Sequence, residues 1–233
     1  MDYSNFKIDM PNDVEFIINT IKSHGHQAYA VGGCVRDSIM GLTPNDWDIT
    51  TSALPSDIKE YFNKTIDTGI EHGTVTVMLH NVGYEVTTYR IDGEYKDGRH
   101  PSSVEFSDRL TDDLCRRDFT INAMAYNNIT GLVDEYGGID DINNRIIKCV
   151  GNPIERFTED ALRMMRAIRF SAQLGFTIEP DTFKAIEKLN RNIDKVSMER
   201  VCVELKKTLL SDNPDYCSLY ATTGLFNNIP VSY

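Results

Sequence analysis

Residues 28–51 read AYAVGGCVRDSIMGLTPNDWDITT, and the order of elements in this stretch decides the fold. Residues 28–31 are a short apolar run that predicts a buried strand. Gly32 and Gly33 follow where that strand would hand over to a helix, predicted from Cys34 to Met40 and closed by Gly41. Residues 46–50 then alternate as a strand does. Asp46 and Asp48 are two apart on it, which puts both carboxylates on one face. That spacing lets two hard oxygen donors share Mg²⁺, as phosphoryl transfer requires. Paired acids alone are ordinary solvated surface, and a Gly-Gly pair alone is a plain tight turn. Glycines at a strand-to-helix turn, however, let backbone N–H groups approach a phosphate, and the helix N-terminus adds positive potential. Arg36, one turn into the helix, is placed to clamp a triphosphate oxygen. The whole sequence of features points to metal-dependent nucleotidyl transfer.

Working outward, residues 12–22 carry Val14, Ile17, Ile18 and Ile21 at helical spacing. Residues 55–62 read as a helix entered through Pro55. Residues 73–80 and 84–90 read as two strands joined by a turn at Asn81-Val82-Gly83, an antiparallel hairpin. Glu85 shares a strand face with Thr87 and Tyr89. If that strand lies beside Asp48, Glu85 completes a metal-binding triad; an exposed edge acid is the equal alternative. Trp47 is expected to face away from the acids and pack. Residues 91–100 look like a charged loop, 119–126 like a helix and 145–150 like a strand. Strand signals then cease. Residues 158–174, with Thr158 as N-cap, and residues 181–189 and 197–210 carry helical periodicity. The fold class is therefore α+β: a mixed sheet with helices over residues 1–143, followed by an all-helical part.

The bulk properties of the 233 residues narrow the functional classes. Hydrophobic residues at 41% and charged residues at 25% are ordinary for a soluble globular chain. No apolar stretch is long enough for a membrane span and no secretory signal is visible. Five dispersed cysteines fit reduced thiols, so a cytoplasmic protein is expected. The net charge of −11 argues against broad electrostatic binding of nucleic acid. Residues 148–207 nevertheless hold twelve Lys and Arg against nine Asp and Glu, so a polyanion would be met there. Arg163, Arg166 and Arg169 recur every third residue and are expected to form a basic ridge. Asp160 and Arg163, three apart on the predicted helix, would be neighbours on one face. An acceptor carboxylate and a rigid guanidinium fork can together address a base edge. The five histidines show no metal-ligand spacing.

Three segments carry a resemblance to a known family. GGCVRD (residues 32–37) with DWDITTSA (46–53), RRDFTINAMA (116–125) and EDALRMMRAIRF (159–170) resemble motifs A, B and D of class II CCA-adding enzymes and bacterial poly(A) polymerases. The resemblance implies a polymerase-beta-like nucleotidyltransferase head over residues 1–143. A helical, nucleotide-selecting neck over 144–202 and the start of a truncated body domain over 203–233 follow. It implies Asp46 and Asp48 as metal ligands, Gly33 and Arg36 at the triphosphate, Arg117 as a nucleotide contact, and Asp118 and Asn122 near the ribose. Asp160 and Arg163 would be the amino-acid template for cytosine and adenine, with Arg166 and Arg169 beside them. The loop at 92–101 resembles the flexible loop of CCA-adding members. Expected partners are CTP, ATP, Mg²⁺ and the 3′ end of tRNA, with no membrane and no DNA. A poly(A) polymerase, a CC-only or A-only enzyme, a catalytically silent nucleotide- or RNA-binding paralogue and a small-molecule nucleotidyltransferase remain as alternatives.

Overall fold

The computed structural model describes residues 7–93 and 103–229, and it divides into two compact units. The expected loop at 92–101 therefore lies outside the described residues, apart from its first two. The first unit comprises residues 7–93, 103–117 and 121–138 of those described. It opens with α1 (Asn12–Ser23), whose Val14, Ile17, Ile18 and Ile21 are all buried. Strand β1 (Ala28–Val31) follows, then α2 (Gly33–Ile39), β2 (Asp48–Thr51) and α3 (Pro55–Tyr61). Next come β3 (Thr65–Gly69), β4 (Thr74–Leu79), β5 (Val82–Thr88), β6 (Arg90–Asp92) and β7 (Val104–Phe106). Helix α4 (Leu110–Cys115), β8 (Met124–Asn127) and β9 (Gly131–Asp134) complete the unit.

Seven strands form one sheet in the order β3-β4-β5-β2-β1-β8-β9. The β2–β5 pair is parallel and its neighbours are antiparallel. Every residue of β1 is buried, because the strand lies near the middle of the sheet and is covered on both faces. Helix α1 packs on β1, β2 and α3. Tyr29, Val31 and Ala125 instead join Tyr89, Leu110 and Leu114 in a second apolar cluster that seats α4.

The β4–β5 hairpin forms as expected, but its turn is His80-Asn81, with Leu79 opposite Val82. Both turn residues have positive φ, 49° and 66°, the signature of a type I′ turn whose twist matches that of the strands. Asparagine tolerates this region and β-branched side chains do not. Asn81→Val is expected to cost about 1 kcal/mol, read as a Tm lowered by about 2–4 °C. Asn81→Gly is expected to melt at or above the parent temperature.

Two sequence expectations are corrected in the stretch 118–174. Residues 119–126 are not a helix: one turn of 3₁₀ helix (Thr120–Asn122) leads into β8. The predicted helix at 158–174 is two helices, α6 (Pro153–Glu159) and α7 (Leu162–Leu174). Helix α6 starts at an Asn152 cap, whose Oδ1 accepts from the Ile154 N–H at 3.0 Å, and not at Thr158. Asp160 has extended backbone angles and accepts from the Leu162 N–H at 3.0 Å, so it ends one helix and caps the next. It is therefore not a mid-helix neighbour of Arg163.

The second unit takes residues 118–120 and 139–229 of those described. Besides α6 and α7 it holds most of α5 (Gly138–Asn143), the short pair β10 (Ile146–Ile147) and β11 (Thr177–Ile178), α8 (Pro180–Leu189), α9 (Met198–Leu209) and α10 (Ser218–Thr222). The residue 145–150 stretch contributes only β10 and an isolated bridge from Phe119 to Cys149. Helix α9 runs unbroken across residues 202 and 203. Among the described residues no helix is long and apolar enough to cross a membrane.

Candidate active site

Asp48 is the first residue of β2, and Asp46 and Trp47 lie just before it in irregular backbone. The two acids are thus not both on a strand, as the alternation suggested. They reach the same place nonetheless: Asn45, Asp46, Trp47 and Asp48 line one cavity of about 520 Å³. Val82, Gly83, Tyr84 and Glu85 supply its other wall from β5, with Pro11 beside them. The parallel register of Ile49 with Val86 is what brings Glu85 alongside Asp48. Trp47, expected to pack away from the acids, lines the cavity with them.

The carboxylates repel one another. Burial raises the pKa of Asp48, the nearby Arg117 charge lowers it, and Asp46 raises it again, with a net upward shift. Glu85 is pushed up by burial and by both aspartates. A cluster of acids held together against this repulsion suits a cation. Among the described residues, no three of His, Cys, Asp and Glu form a ready-made cage for a metal. Mg²⁺ does not need one, since it commonly takes one or two carboxylates, keeps several waters and completes its shell with substrate phosphates. The hard oxygen donors here fit that ion.

On the opposite side of Asp48, the chain leaves β1 through Gly32 at φ 84°, ψ −131°, a region essentially reserved for glycine. A Cβ there would also stand 3.0 Å from Arg117 Nη1. Gly33 opens α2, and a Cβ on it would meet Arg36 Nη2 at 3.6 Å. Arg36 is buried and fixed, donating to Asn122 Oδ1 at 2.6 Å and to Asp37 Oδ1 at 2.8 Å. Arg117 donates to Asp113 Oδ2 at 3.0 Å. Gly33, Arg36, Arg117 and Asn122 thus collect around one turn within the first unit. Gly32→Ala is expected to cost about 1–3 kcal/mol from the backbone alone. It should also displace the Arg117 guanidinium, so the measurement is a melt paired with a CTP titration. Unchanged Tm together with unchanged CTP affinity would contradict this account.

The second unit holds the remaining candidates. Asp118 is buried and takes Arg166 at 2.7 Å through Nε, besides accepting from the Phe119 N–H at 2.8 Å. Asp160 accepts from Arg200 at 2.9 Å, and Arg163 donates to Glu159 at 2.6 Å. Arg169 is buried against Glu204 at 2.5 Å. The expected basic ridge is thus not an exposed surface: Arg163, Arg166 and Arg169 each meet an acid. Glu204, Arg200 and the pairing of Asp118 with Arg166 were missed from the sequence because those partners lie 35 to 48 residues apart, and Asp113 because it stands in a run of charged residues.

A mixed sheet with its acids at the strand after a Gly-Gly turn, followed by a helical unit, defines the class as a nucleotidyltransferase fold. The chain belongs to the poly A polymerase head domain family, whose model matches residues 28–148. A second model, described as a probable RNA and SrmB-binding site of polymerase A, matches residues 175–231. Among similar proteins, the CCA-adding enzyme of Ligilactobacillus salivarius is 49% identical, over 88% of this chain and 54% of its own length. That of Limosilactobacillus fermentum is 51% identical, over 83% of this chain and 48% of its own. The crystal structure of the Bacillus stearothermophilus CCA-adding enzyme in complex with CTP superimposes with a TM-score of 0.87 at 43% identity, covering 95% of this chain and 55% of that one. The Thermotoga maritima CCA-adding enzyme complexed with tRNA matches with a TM-score of 0.78 at 25% identity, covering 98% and 55%. The chain spans about half the length of the relatives it matches.

Proposed function

We propose that this chain carries the nucleotidyltransferase half of a CCA-adding enzyme, transferring C and A residues from CTP and ATP to the 3′ end of tRNA in the cytoplasm. The observation that carries the reading is the gathering of Asp46, Asp48 and Glu85 around one cavity beside the Gly32-Gly33 turn. The likeness to CCA-adding enzymes, one of them solved with CTP and one with tRNA, supports it. In this reading residues 1–143 are the head, 144–202 the neck and 203–233 the start of the body.

In the transfer, the terminal 3′-oxygen of the RNA forms a bond to the α-phosphorus of the incoming nucleotide. The bond to the bridging oxygen breaks, pyrophosphate leaves and the hydroxyl proton goes to water. Asp46 and Asp48, with Glu85, would hold Mg²⁺, which when bound lowers the pKa of the attacking hydroxyl and neutralises the leaving phosphates. Gly33 and Arg36 hold the triphosphate. Arg117 adds positive charge next to Asp48, and Asn122, fixed by Arg36, would contact the ribose, a role the resemblance also gives Asp118. Asp160 and Arg163 select the base through an acceptor carboxylate and a donor fork, with Arg166 and Arg169 supporting that helix. Arg200 and Glu159 orient the two selecting groups, since each holds one of them by an ion pair.

The test is incubation of tRNA lacking its 3′ end with each labelled nucleoside triphosphate, singly and together. Two C and one A added in order are expected. Long A tails would select the poly(A) polymerase reading that the family description also names, and incorporation of nothing would select a silent paralogue.

A further inference from the structure

Trp47 is the chain's one tryptophan. It is half-buried, lines the cavity between Asp46 and Asp48, and makes no ring contact or hydrogen bond among the described residues. Tyr84 lines the same cavity. Its hydroxyl is drawn away, donating to Asp13 Oδ2 at 3.2 Å, and His80 Nδ1 stands 3.2 Å from the same carboxylate. That hydrogen bond holds the Tyr84 ring in place.

The sheet order gives this cavity a side. Strand β2 lies between β5 and β1. The Gly32-Gly33 turn and Arg36 continue from β1, and Asn122 precedes β8, so the triphosphate groups lie on the β1–β8 flank of Asp48. Residues 82–85 put the cavity on the β5 flank. In-line displacement needs the attacking oxygen and the leaving pyrophosphate on opposite sides of the phosphorus. A nucleophile entering over β5 meets that demand.

We propose that the cavity beside Asp48 receives the 3′-terminal nucleoside of the acceptor RNA, its base stacked on the indole of Trp47 and its 3′-hydroxyl turned toward Asp48. The inference rests on the reading of the chain as an RNA-extending nucleotidyltransferase. A volume of about 520 Å³ is ample for one nucleoside. Stacking also suits the task, because the terminal base changes as nucleotides are added. A hydrogen-bonding pocket would select one base, whereas an aromatic face accepts any, at roughly 1–3 kcal/mol per base.

Trp47 reports on itself, since its fluorescence is the only indole signal of the full chain. Three probes are titrated: a fluorescently end-labelled acceptor-stem RNA ending one step before addition, the same RNA with an abasic 3′-terminal ribose, and CTP alone. The dye is excited away from the indole, so that anisotropy reports binding independently. Intact RNA is expected to quench Trp47 and CTP alone to leave it unchanged. The abasic RNA is expected to bind about tenfold more weakly without quenching. Trp47→Leu should raise the KM for RNA about tenfold and leave the KM for CTP unaltered. Quenching by CTP alone, or equal quenching by intact and abasic RNA, overturns the proposal. If anisotropy shows no RNA binding at all, the RNA-extending reading falls and this one with it. If RNA is bound and extended while Trp47 stays silent and Trp47→Leu keeps the RNA KM, only the stacking falls.

Discussion

Asp48→Ala is expected to abolish nucleotide transfer, by about 10³-fold or more, while the protein is expected to melt at or above the parent temperature. The size of the loss follows from the metal that the carboxylate is proposed to hold. Metal stabilisation of developing phosphate charge is worth several kcal/mol, and each 1.36 kcal/mol is a factor of ten in rate. The gain or neutrality in stability follows from the environment of Asp48. Burial and Asp46 push its pKa up despite Arg117, so the folded state holds the ionised form reluctantly. The folded state therefore binds the proton more tightly than the unfolded chain does. Stability falls as pH rises through the ordinary carboxylate range toward the shifted value, and the deficit is fully present at neutral pH. Asp48→Asn removes that deficit, so its Tm advantage over the parent should be present at pH 7 and shrink on acidification. Transfer assays with labelled CTP and ATP, beside melts at two pH values, measure both halves. Retained turnover with Mg²⁺ would remove Asp48 from the catalytic site; a variant that fails to fold would show the acid to be structural.

That signature, an acid that costs stability where it stands, is the kind of local conflict by which a functional site becomes legible in sequence. The Gly32-Gly33 turn and the existence of the β4–β5 hairpin could be read because each uses local chemistry, φ and turn residues, whereas alternation put Asp46 on a strand that begins only at Asp48. Glu85 needed one long-range fact, that β5 runs parallel beside β2, which no spacing along the chain contains. Residues 119–126 misled because Phe119, Ile121, Ala123, Met124 and Ala125 are all fully buried, and periodicity cannot separate a short buried strand from a buried helix. The break at Asp160 was hidden for a different reason. Helical spacing of the apolar residues continues across it, and one side-chain bond to the Leu162 N–H re-caps the backbone. The arginines of α7 looked like a solvated ridge because Asp118 and Glu204, which take Arg166 and Arg169, lie 48 and 35 residues away.

Asp113→Ala is expected to cost about 3 kcal/mol, the scale for removing one partner of a buried ion pair, and so to lower Tm by roughly 6–12 °C. Asp113 looks like surface in the sequence, in a run of charged residues, yet it is fully buried on α4 beneath two guanidiniums. Arg116 meets its Oδ1 through Nε at 3.1 Å, and Arg117 donates to its Oδ2 at 3.0 Å. Burial alone would raise the pKa of this acid, but the Arg117 and Arg116 charges and their hydrogen bonds outweigh it and hold the value below the usual carboxylate range. The folded state thus binds the proton more weakly than the unfolded chain. The stability Asp113 contributes is present above the ordinary carboxylate pKa and is lost as pH falls through the lowered one. The gap between parent and Asp113→Asn should accordingly narrow in strong acid. Loss of the carboxylate also releases Arg117 from the turn where it stands beside Gly32 and Asp48, while Arg116 retains Asp92 at 3.8 Å. The variant should therefore show a raised KM for CTP and ATP with a smaller change in kcat. An Asp113→Ala protein that melts like the parent would place the acid in water, and one that melts low but binds nucleotide normally would confine its role to the fold.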